Sequence, residues 1–516
     1  MSTSKLHPSK SIVVSAAAFA LAVFAFPPNI YGQTAWTNFA KVAHHGAASG
    51  TASQTLNAIH WQTPVDLHPQ YPGRESKPLQ YGAEELLIHY GSPLITTANT
   101  VIVPVKTGAS GGFSVSAHVA ANGNLVWSTQ SDFMLPPSHG WTPVFGPALT
   151  AKRLYFPAAG GTILYRDDPD AATGTEGRIA FYGLANYVAD PTGFNSSVYI
   201  NTPLTTDESG NIYFGFLVNG TSPLAGLTSG IARIGSDGTA TWVAVTTAAA
   251  DSTMTEVPYN CAPALSWNGT TVYVAVSNGT DGYLVALNST TLAPVAHVRL
   301  KDPKSGDNSW IDDDSSASPT TGADGDVYYG VLENPFPENN DRGWLLHFSA
   351  DLSQSKTPGA FGWDETASLV PASIVASYTG TSSYLLMTKY NNYADIGTGN
   401  GENKIAILDP HATETDPITG VTVMNEVLTI LGPTPNPPDP GVKEWCINSA
   451  AVDIPGKSIL ANSEDGNLYR WDLTNNTLSQ KVTLTAGIGE AYTPTVIGVD
   501  GTAYAINDAI LFAIGN

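Results

Sequence analysis

Positive charge is scarce in this chain. Its 516 residues carry 22 Lys and Arg against 44 Asp and Glu, for a net charge of −22. Nucleic-acid binding draws on basic side chains that displace phosphate counterions, and the basic residues here are few and scattered. Nucleic acid is therefore excluded as a partner, and an anionic membrane surface on the same ground. Cysteine is nearly absent, with only Cys261 and Cys446. That rules out a disulfide scaffold, a C-x-x-C metal or redox motif and a C-x-x-C-H haem attachment. G-x-S-x-G, H-E-x-x-H and phosphate-loop motifs are missing as well. Beyond the first residues no apolar run is long enough to span a membrane. Long amphipathic helical stretches are also lacking, which leaves little room for a helical fold.

What remains is a chain rich in Gly (49) and Pro (36), only 13% charged yet 42% hydrophobic. That balance supplies a core and many turns, the profile of a protein built from short strands. Residues 1–32 read as a signal peptide: Lys5 and Lys10, an apolar run from Ile12 to Phe26, then Pro27-Pro28. The protein is expected to be exported, to the periplasm or beyond it, as a monomer without membrane insertion once the signal is removed.

The last stretch, Tyr492 to Asn516, reads as three strands, Thr493–Gly498, Thr502–Asn507 and Ile510–Gly515, with a tight turn at Asp500-Gly501. The same unit recurs at intervals of roughly 40 to 65 residues. Its starts are Ser92-Pro93, Gly146-Pro147, Thr202-Pro203, Ala262-Pro263, Ser318-Pro319, a weaker Val370-Pro371, Asn448-Ser449 and Thr493-Pro494. Aromatic second strands follow, such as IYFGFL from Ile212 and VYYGVL from Val327. Third strands include YLVALN from Tyr283, WLLHFS from Trp344, KIAILD from Lys404 and LYRWDL from Leu468, and GNLVWSTQ from Gly123 carries the Trp of a fourth strand. Four strands repeated radially make a propeller blade.

These units resemble the quinoprotein-type, PQQ-like β-propeller repeat, over roughly residues 59 to 516. The expected fold is all-β, one eight-bladed propeller of four-stranded blades over residues 57–516, or seven blades if the weak sixth unit is not separate. The final unit lacks a fourth strand. Ala58–Val65 (AIHWQTPV) has the look of one, so it is expected to close the last blade and remove the exposed edges. Residues 33–56 then read as a flexible lead-in, and His44-His45 as part of a solvated tail.

The resemblance implies a quinone cofactor at the propeller centre in enzymatic members, many of which stack a disulfide of adjacent cysteines on it, with calcium beside it. This chain has no adjacent cysteines, so PQQ is not expected and no cofactor is predicted, although its carboxylates suit calcium. Cys261 and Cys446 head inner strands three blades apart, beyond the ~7 Å a disulfide spans between Cα atoms, so two buried free thiols are expected.

Loops leading into the inner strands would converge on one rim. The candidate ligand-binding residues there are Tyr90, Trp141, Tyr259, Trp310, Asp312, Glu444, Trp445, Glu490 and Tyr492. Aromatic faces beside carboxylates suit a sugar ring or a cationic group. Asp312-Asp313-Asp314 reads as a solvated acidic loop, because successive side chains in an extended segment point apart. Residues 391–403, with Asp395, Asn400 and Asn403, read as a Gly-rich surface loop rather than a calcium site. No catalytic residue is expected. The function this favours is a protein- or glycan-binding scaffold with its ligand at the channel mouth. The alternative is an enzyme, either a quinoprotein-type oxidoreductase or a carbohydrate-active enzyme using the mouth carboxylates.

Overall fold

Burial along the strands explains why the repeat reads as it does. Inner strands are two to four residues long and wholly buried, second and third strands are buried along most of their length, and fourth strands alternate with solvent. Continuous apolar runs such as TVYVAVS therefore lie inside a blade, and alternating ones such as TLSQKVT lie on the outer edge. The structure is a computed structural model and describes residues 1, 35–69, 91–137, 144–311, 317–487 and 493–516. The signal-peptide reading and Asp312–Asp314 lie outside them.

Eight antiparallel sheets form the ring. Blade one is Leu94–Ile95, Thr100–Gly108, Gly111–Val119 and Leu125–Ser131, and blade two Ala148–Leu149, Arg153–Pro157, Thr162–Asp167 and Glu176–Ala180. Blade three is Thr205–Thr206, Ile212–Val218, Gly230–Ile234 and Ala240–Ala244, with Val198–Ile200 added along the second strand. Blade four runs from Ala264–Leu265 through Thr271–Ser277 and Gly282–Asn288 to Pro294–Arg299. Blade five has Thr320–Thr321, Val327–Val331 and Trp344–Phe348, and its outer segment is held by bridges from Leu345 to Gly359 and from Phe348 to Ser355. Blade six (Ser368–Pro371, Tyr384–Tyr390, Lys404–Thr415, Thr422–Leu431) is complete, which excludes the seven-bladed alternative. Pro371 ends its inner strand instead of starting it, which is why the sixth repeat reads weakly. Blade seven is Ala451–Asp453, Ser458–Asn462, Asn467–Asp472 and Thr477–Thr483.

Blade eight combines Val496–Ile497, Ala503–Asn507 and Ile510–Gly515 with Ala58–Pro64, which pairs antiparallel from Ala58 opposite Gly515 to Pro64 opposite Ile510. The ends of the chain thus close the ring as the sequence predicts. Trp61 of the closing strand donates its indole N–H to the Ala120 carbonyl of blade one at 2.7 Å. Trp127, in the fourth strand of blade one, does the same to Pro169 of blade two at 2.7 Å. One indole thus ties a blade to the next at both places, including the closure.

The lead-in differs from expectation. From Ala35 on it is packed inside the ring. Trp36, Ala40, His45 and Ala47 have no exposed surface. The segment circles the axis and touches the inner strands in order. Trp36 exchanges two hydrogen bonds with Ile95 of blade one, and the Thr37 carbonyl accepts from Leu149 of blade two. Asn38 bonds Thr206 of blade three through both ends of its amide. The carbonyls of Ala43, His44 and Gly46 accept from Leu265, Thr321 and Leu369, and Ala48–Ser49 pairs in parallel with Val452–Asp453. Gln54 N–H then reaches Gly501 in blade eight. Ala40, Lys41, His45 and Ala47 all have positive φ, which is how so short a segment keeps turning. A free tail would leave the inner strands' N–H groups without partners, whereas the plug satisfies one in each of blades one to seven. His44 and His45 are not in a solvated tail. His44 stacks on Trp267 at 4.3 Å, and His45 sets Nδ1 2.7 Å from the Pro319 carbonyl.

Both cysteines are buried thiols, and neither is in a disulfide. Among the described residues no helix is long and apolar enough to cross a membrane.

Candidate functional site at the channel mouth

The plug bonds the inner strands toward their turns into the second strands, as at Leu265 and Thr321. The opposite end, where the chain enters each inner strand, is lined differently. Small polar residues there bond from blade to blade. Leu204 N–H reaches Gly146, Asn260 N–H reaches Asn201, Thr366 N–H reaches Asn448 and Thr495 N–H reaches Ser449. The Ser318 hydroxyl accepts from Ala262 N–H at 3.0 Å, and Ser318 N–H donates to Thr366 Oγ1 at 3.0 Å. Gly146 is required for this approach, since a Cβ there would lie 2.6 Å from Pro203.

Charge concentrates on the sector of blades five to seven. Lys389 and Glu365 are each 1% exposed. The Lys389 ammonium lies 5.7 Å from the Phe361 ring centroid. Burial acts to lower the Lys389 pKa, but Cys446, Asp364, Glu365 and Glu444 outweigh it and hold the ammonium above the ordinary lysine value. Burial pushes the Glu365 carboxyl well up, against the pull of Lys389. Its Oε2 accepts the Lys389 backbone N–H at 3.3 Å, while Oε1 has no protein partner. Glu333 is clamped by the N–H groups of Asp341 and Gly343, both at 2.7 Å. Asp341 is pushed up to about 7 by burial and by the carboxylates of Glu333, Asp364 and Glu444.

Of the rim candidates, Tyr90, Trp141, Asp312, Glu490 and Tyr492 lie outside the described residues. Glu444 belongs to the buried charge cluster through its field on Asp341 and Lys389. Trp445 beside it is 1% exposed, bonded through its backbone to both ends of the Asn391 amide, and its Nε1 has no protein partner. Tyr259 is 3% exposed and its hydroxyl reaches the Pro137 carbonyl at 3.3 Å. Trp310 is half-buried and bridged to Leu332. The residues 391–403 loop docks on Asn340, and Asn400 and Asn403 already accept N–H groups of Asn392, so those oxygens are not gathered for a cation.

Sequence reasoning took only the loops that lead into inner strands and so missed Glu333, Asp341 and Lys389. In an up-and-down blade the turn from second to third strand opens on the same face, and Glu333 and Asp341 sit in one such turn. The available signal was a charge inside an apolar run, the Lys of YLLMTKY.

Several buried polar atoms near the mouth lack a protein partner: Asn201 Oδ1, Asn260 Nδ2, Glu365 Oε1, Trp445 Nε1 and Thr495 Oγ1. Buried polar groups cost about 1–3 kcal/mol each when left unbonded, so this mixed set of donors and acceptors is suited to a polar guest. It is poorly matched to PQQ. That quinone is a tricarboxylate, and here the carboxyl groups of Asp341, Asp364, Glu365 and Glu444 surround one lysine. Nor do the mouth carboxylates among the described residues gather as calcium ligands. Among the described residues the one group of three ligating atoms within 4.8 Å of each other is Asp324, Asp326 and His411, in a different part of blades five and six.

No protein-family model matches the chain, and no curated protein matches it in sequence. Solved structures do. The chain is similar to the quinohemoprotein alcohol dehydrogenase from Comamonas testosteroni, with TM-score 0.52 and 11% identity over 95% of this chain and 78% of that one. It is similar to a second such enzyme from Pseudomonas putida HK5, with TM-score 0.50 and 11% identity over 94% and 76%. It is similar also to Sqt1 of Saccharomyces cerevisiae, with TM-score 0.50 and 9% identity over 90% and 99%. At such identities the likeness concerns the fold. The chain is an eight-bladed β-propeller, a fold like that of the quinohemoprotein alcohol dehydrogenases.

Proposed function

We propose that this is an exported binding propeller that holds a glycan or a protein surface at the channel mouth. The observation that carries the reading is the set of buried donors and acceptors without protein partners around a buried Lys389–Glu365 pair. Alternating donors and acceptors fit a hydroxyl-rich ligand. The surrounding carboxylates fit a basic side chain on a partner. The N-terminal plug supports the reading, because it occupies the far end of the inner strands and leaves the mouth end to a ligand. The test is a glycan array and an immobilised cationic-peptide array, each probed with wild type, Lys389→Met and Glu444→Gln. Binding by wild type that drops at least tenfold in both variants supports the reading. Undiminished binding in both removes the mouth from consideration.

A carbohydrate-active enzyme is the second reading, favoured by Asp341. A carboxyl held at about 7 beside other carboxylates can give or take a proton at neutral pH. Hydrolysis of an array-positive glycan, lost in Asp341→Asn, would select it over simple binding.

A further inference from the structure

Away from the mouth, where inner strands turn into second strands, blades five and six meet in a cluster of a different kind. Asp324 and Asp326 flank Gly325, whose φ of +94° makes the tight turn between Thr320–Thr321 and Val327–Val331. His411 comes from blade six. Pro410 cannot donate to the ladder, and the pairing of Lys404–Thr415 with Thr422–Leu431 slips between Asp409 and Thr413. The resulting bulge takes His411 out of register, a common way to re-aim a side chain. His411 Nε2 lies 3.1 Å from Asp324 Oδ2 and 3.7 Å from Asp326 Oδ2. His411 and Asp324 are about one-third exposed, so solvent reaches the cluster.

The remaining atoms of these side chains are held in a defined pattern. Ser382 Oγ donates to Asp409 Oδ1 at 2.6 Å and lies 3.1 Å from His411 Nδ1. With the serine proton committed to Asp409, Ser382 Oγ accepts from Nδ1–H, and Nε2 faces the two carboxylates, donating its proton to Asp324 in the metal-free protein, a proton that an arriving ion displaces. Asp409 Oδ1 also accepts the His411 backbone N–H, at 2.9 Å, and fixes the bulge. Asp324 Oδ1 accepts from the buried Tyr384 hydroxyl at 2.8 Å, which in turn meets the Tyr328 hydroxyl at 2.6 Å. Gly322 makes room for this, as a Cβ there would lie 2.2 Å from the Tyr384 oxygen. Asp326 is held by His347 at 2.9 Å and by the Lys356 ammonium.

We propose that Asp324, Asp326 and His411 form a binding site for a divalent transition-metal ion across the seam between blades five and six. One imidazole nitrogen and two carboxylate oxygens are donors that zinc and its neighbours accept, with open positions left for water. Ligand atoms about 2.1 Å from a tetrahedral ion are about 3.4 Å apart, and the separations to His411 of 3.1 and 3.7 Å bracket that value. Hydrogen bonds behind each ligand, of the kind seen here on His411, Asp324 and Asp326, orient first-shell groups at metal sites. The Lys356 ammonium on Asp326, about one-third exposed, is the resident competitor for the charge. This site shares no residue with the mouth, so it stands or falls separately from the binding reading.

The test is calorimetric titration of the untagged, EDTA-treated protein with zinc chloride, beside His411→Ala, Asp324→Asn and Lys356→Met. The expected result is one equivalent bound by wild type, at least tenfold weaker affinity in His411→Ala and Asp324→Asn, and tighter affinity in Lys356→Met. Metal-free melting curves establish that each variant is folded. The Lys356 variant keeps the proposal testable if the others unfold, since a purely structural ion-pair cluster gives no gain in zinc affinity there. No saturable zinc uptake by wild type, affinity unchanged in His411→Ala, or no gain in Lys356→Met overturns it.

Discussion

Lys106 Nζ lies 2.9 Å from Asp66 Oδ2, and neither side chain has any exposed surface. Asp66 follows the closing strand of blade eight and Lys106 belongs to the second strand of blade one, so this buried ion pair spans the seam where the ring is sealed. Lys106 also donates to the carbonyls of His68 and Gly108. Burial nevertheless pushes the Asp66 carboxyl above its ordinary value, so desolvation exceeds what the lysine returns. Breaking the pair with Asp66→Leu or Lys106→Met alone should cost about 3–5 kcal/mol by leaving a lone buried charge. The double variant should recover most of that loss. Urea unfolding of the three variants checks this, and additive losses would contradict it.

The plug should behave as part of the core. Trp36→Ala should cost about 3–5 kcal/mol, as a fully buried large side chain. Removing residues 35–49 should lower the melting temperature more than any single mouth substitution. A flexible lead-in would leave both measurements unchanged.

Acid should loosen the plug. Burial holds the His45 imidazole down to about 4, and burial, with His45 and Lys41 nearby, holds His44 down to about 3. Unfolded histidine titrates near 6.5. Between there and the folded values the unfolded chain binds more protons, so stability falls as pH drops through that window, by up to about 1.4 kcal/mol per pH unit for each histidine. His45→Asn keeps an amide donor for Pro319 and a residue type tolerant of the +59° φ. Its unfolding free energy should depend less steeply on pH from 6.5 to 4 than that of wild type, and an unchanged slope would refute the assignment.

Glu365→Gln should separate stability from binding. The folded carboxyl is raised well above its ordinary value by burial, so Glu365 weakens the fold increasingly as pH climbs above the unfolded value. The amide removes that term. Its melting temperature should exceed wild type's, with a larger difference at pH 8 than at pH 5, while mouth binding weakens.

The ring itself is legible in the sequence because its signals are local. IYFGFL, VYYGVL and their D-G turns each specify a strand or a bend, and Trp61 marks a fourth strand because Trp127 occupies the same role. The plug has no such signal. Residues 36–48 make about one bond to each of blades one to seven in turn, a path with no period of 2 or 3.6 to detect, and only Trp36 and Phe39 hint at burial. The charged mouth was half visible. Glu444 and the Asp364-Glu365 pair lie in loops that the repeat singles out, whereas Lys389 is hidden in a strand. His411 depends on a bulge, and only Pro410 beside it gives notice of one.

Hydrogen-exchange footprinting of the bound protein, using the tightest ligand from the arrays, tests the mouth assignment most directly. Added protection should fall on residues 260–262, 364–366 and 444–449, at the starts of the inner strands. Protection confined to the outer strands, or to the turns around Asp324 and Asp500 on the plugged side, would contradict it.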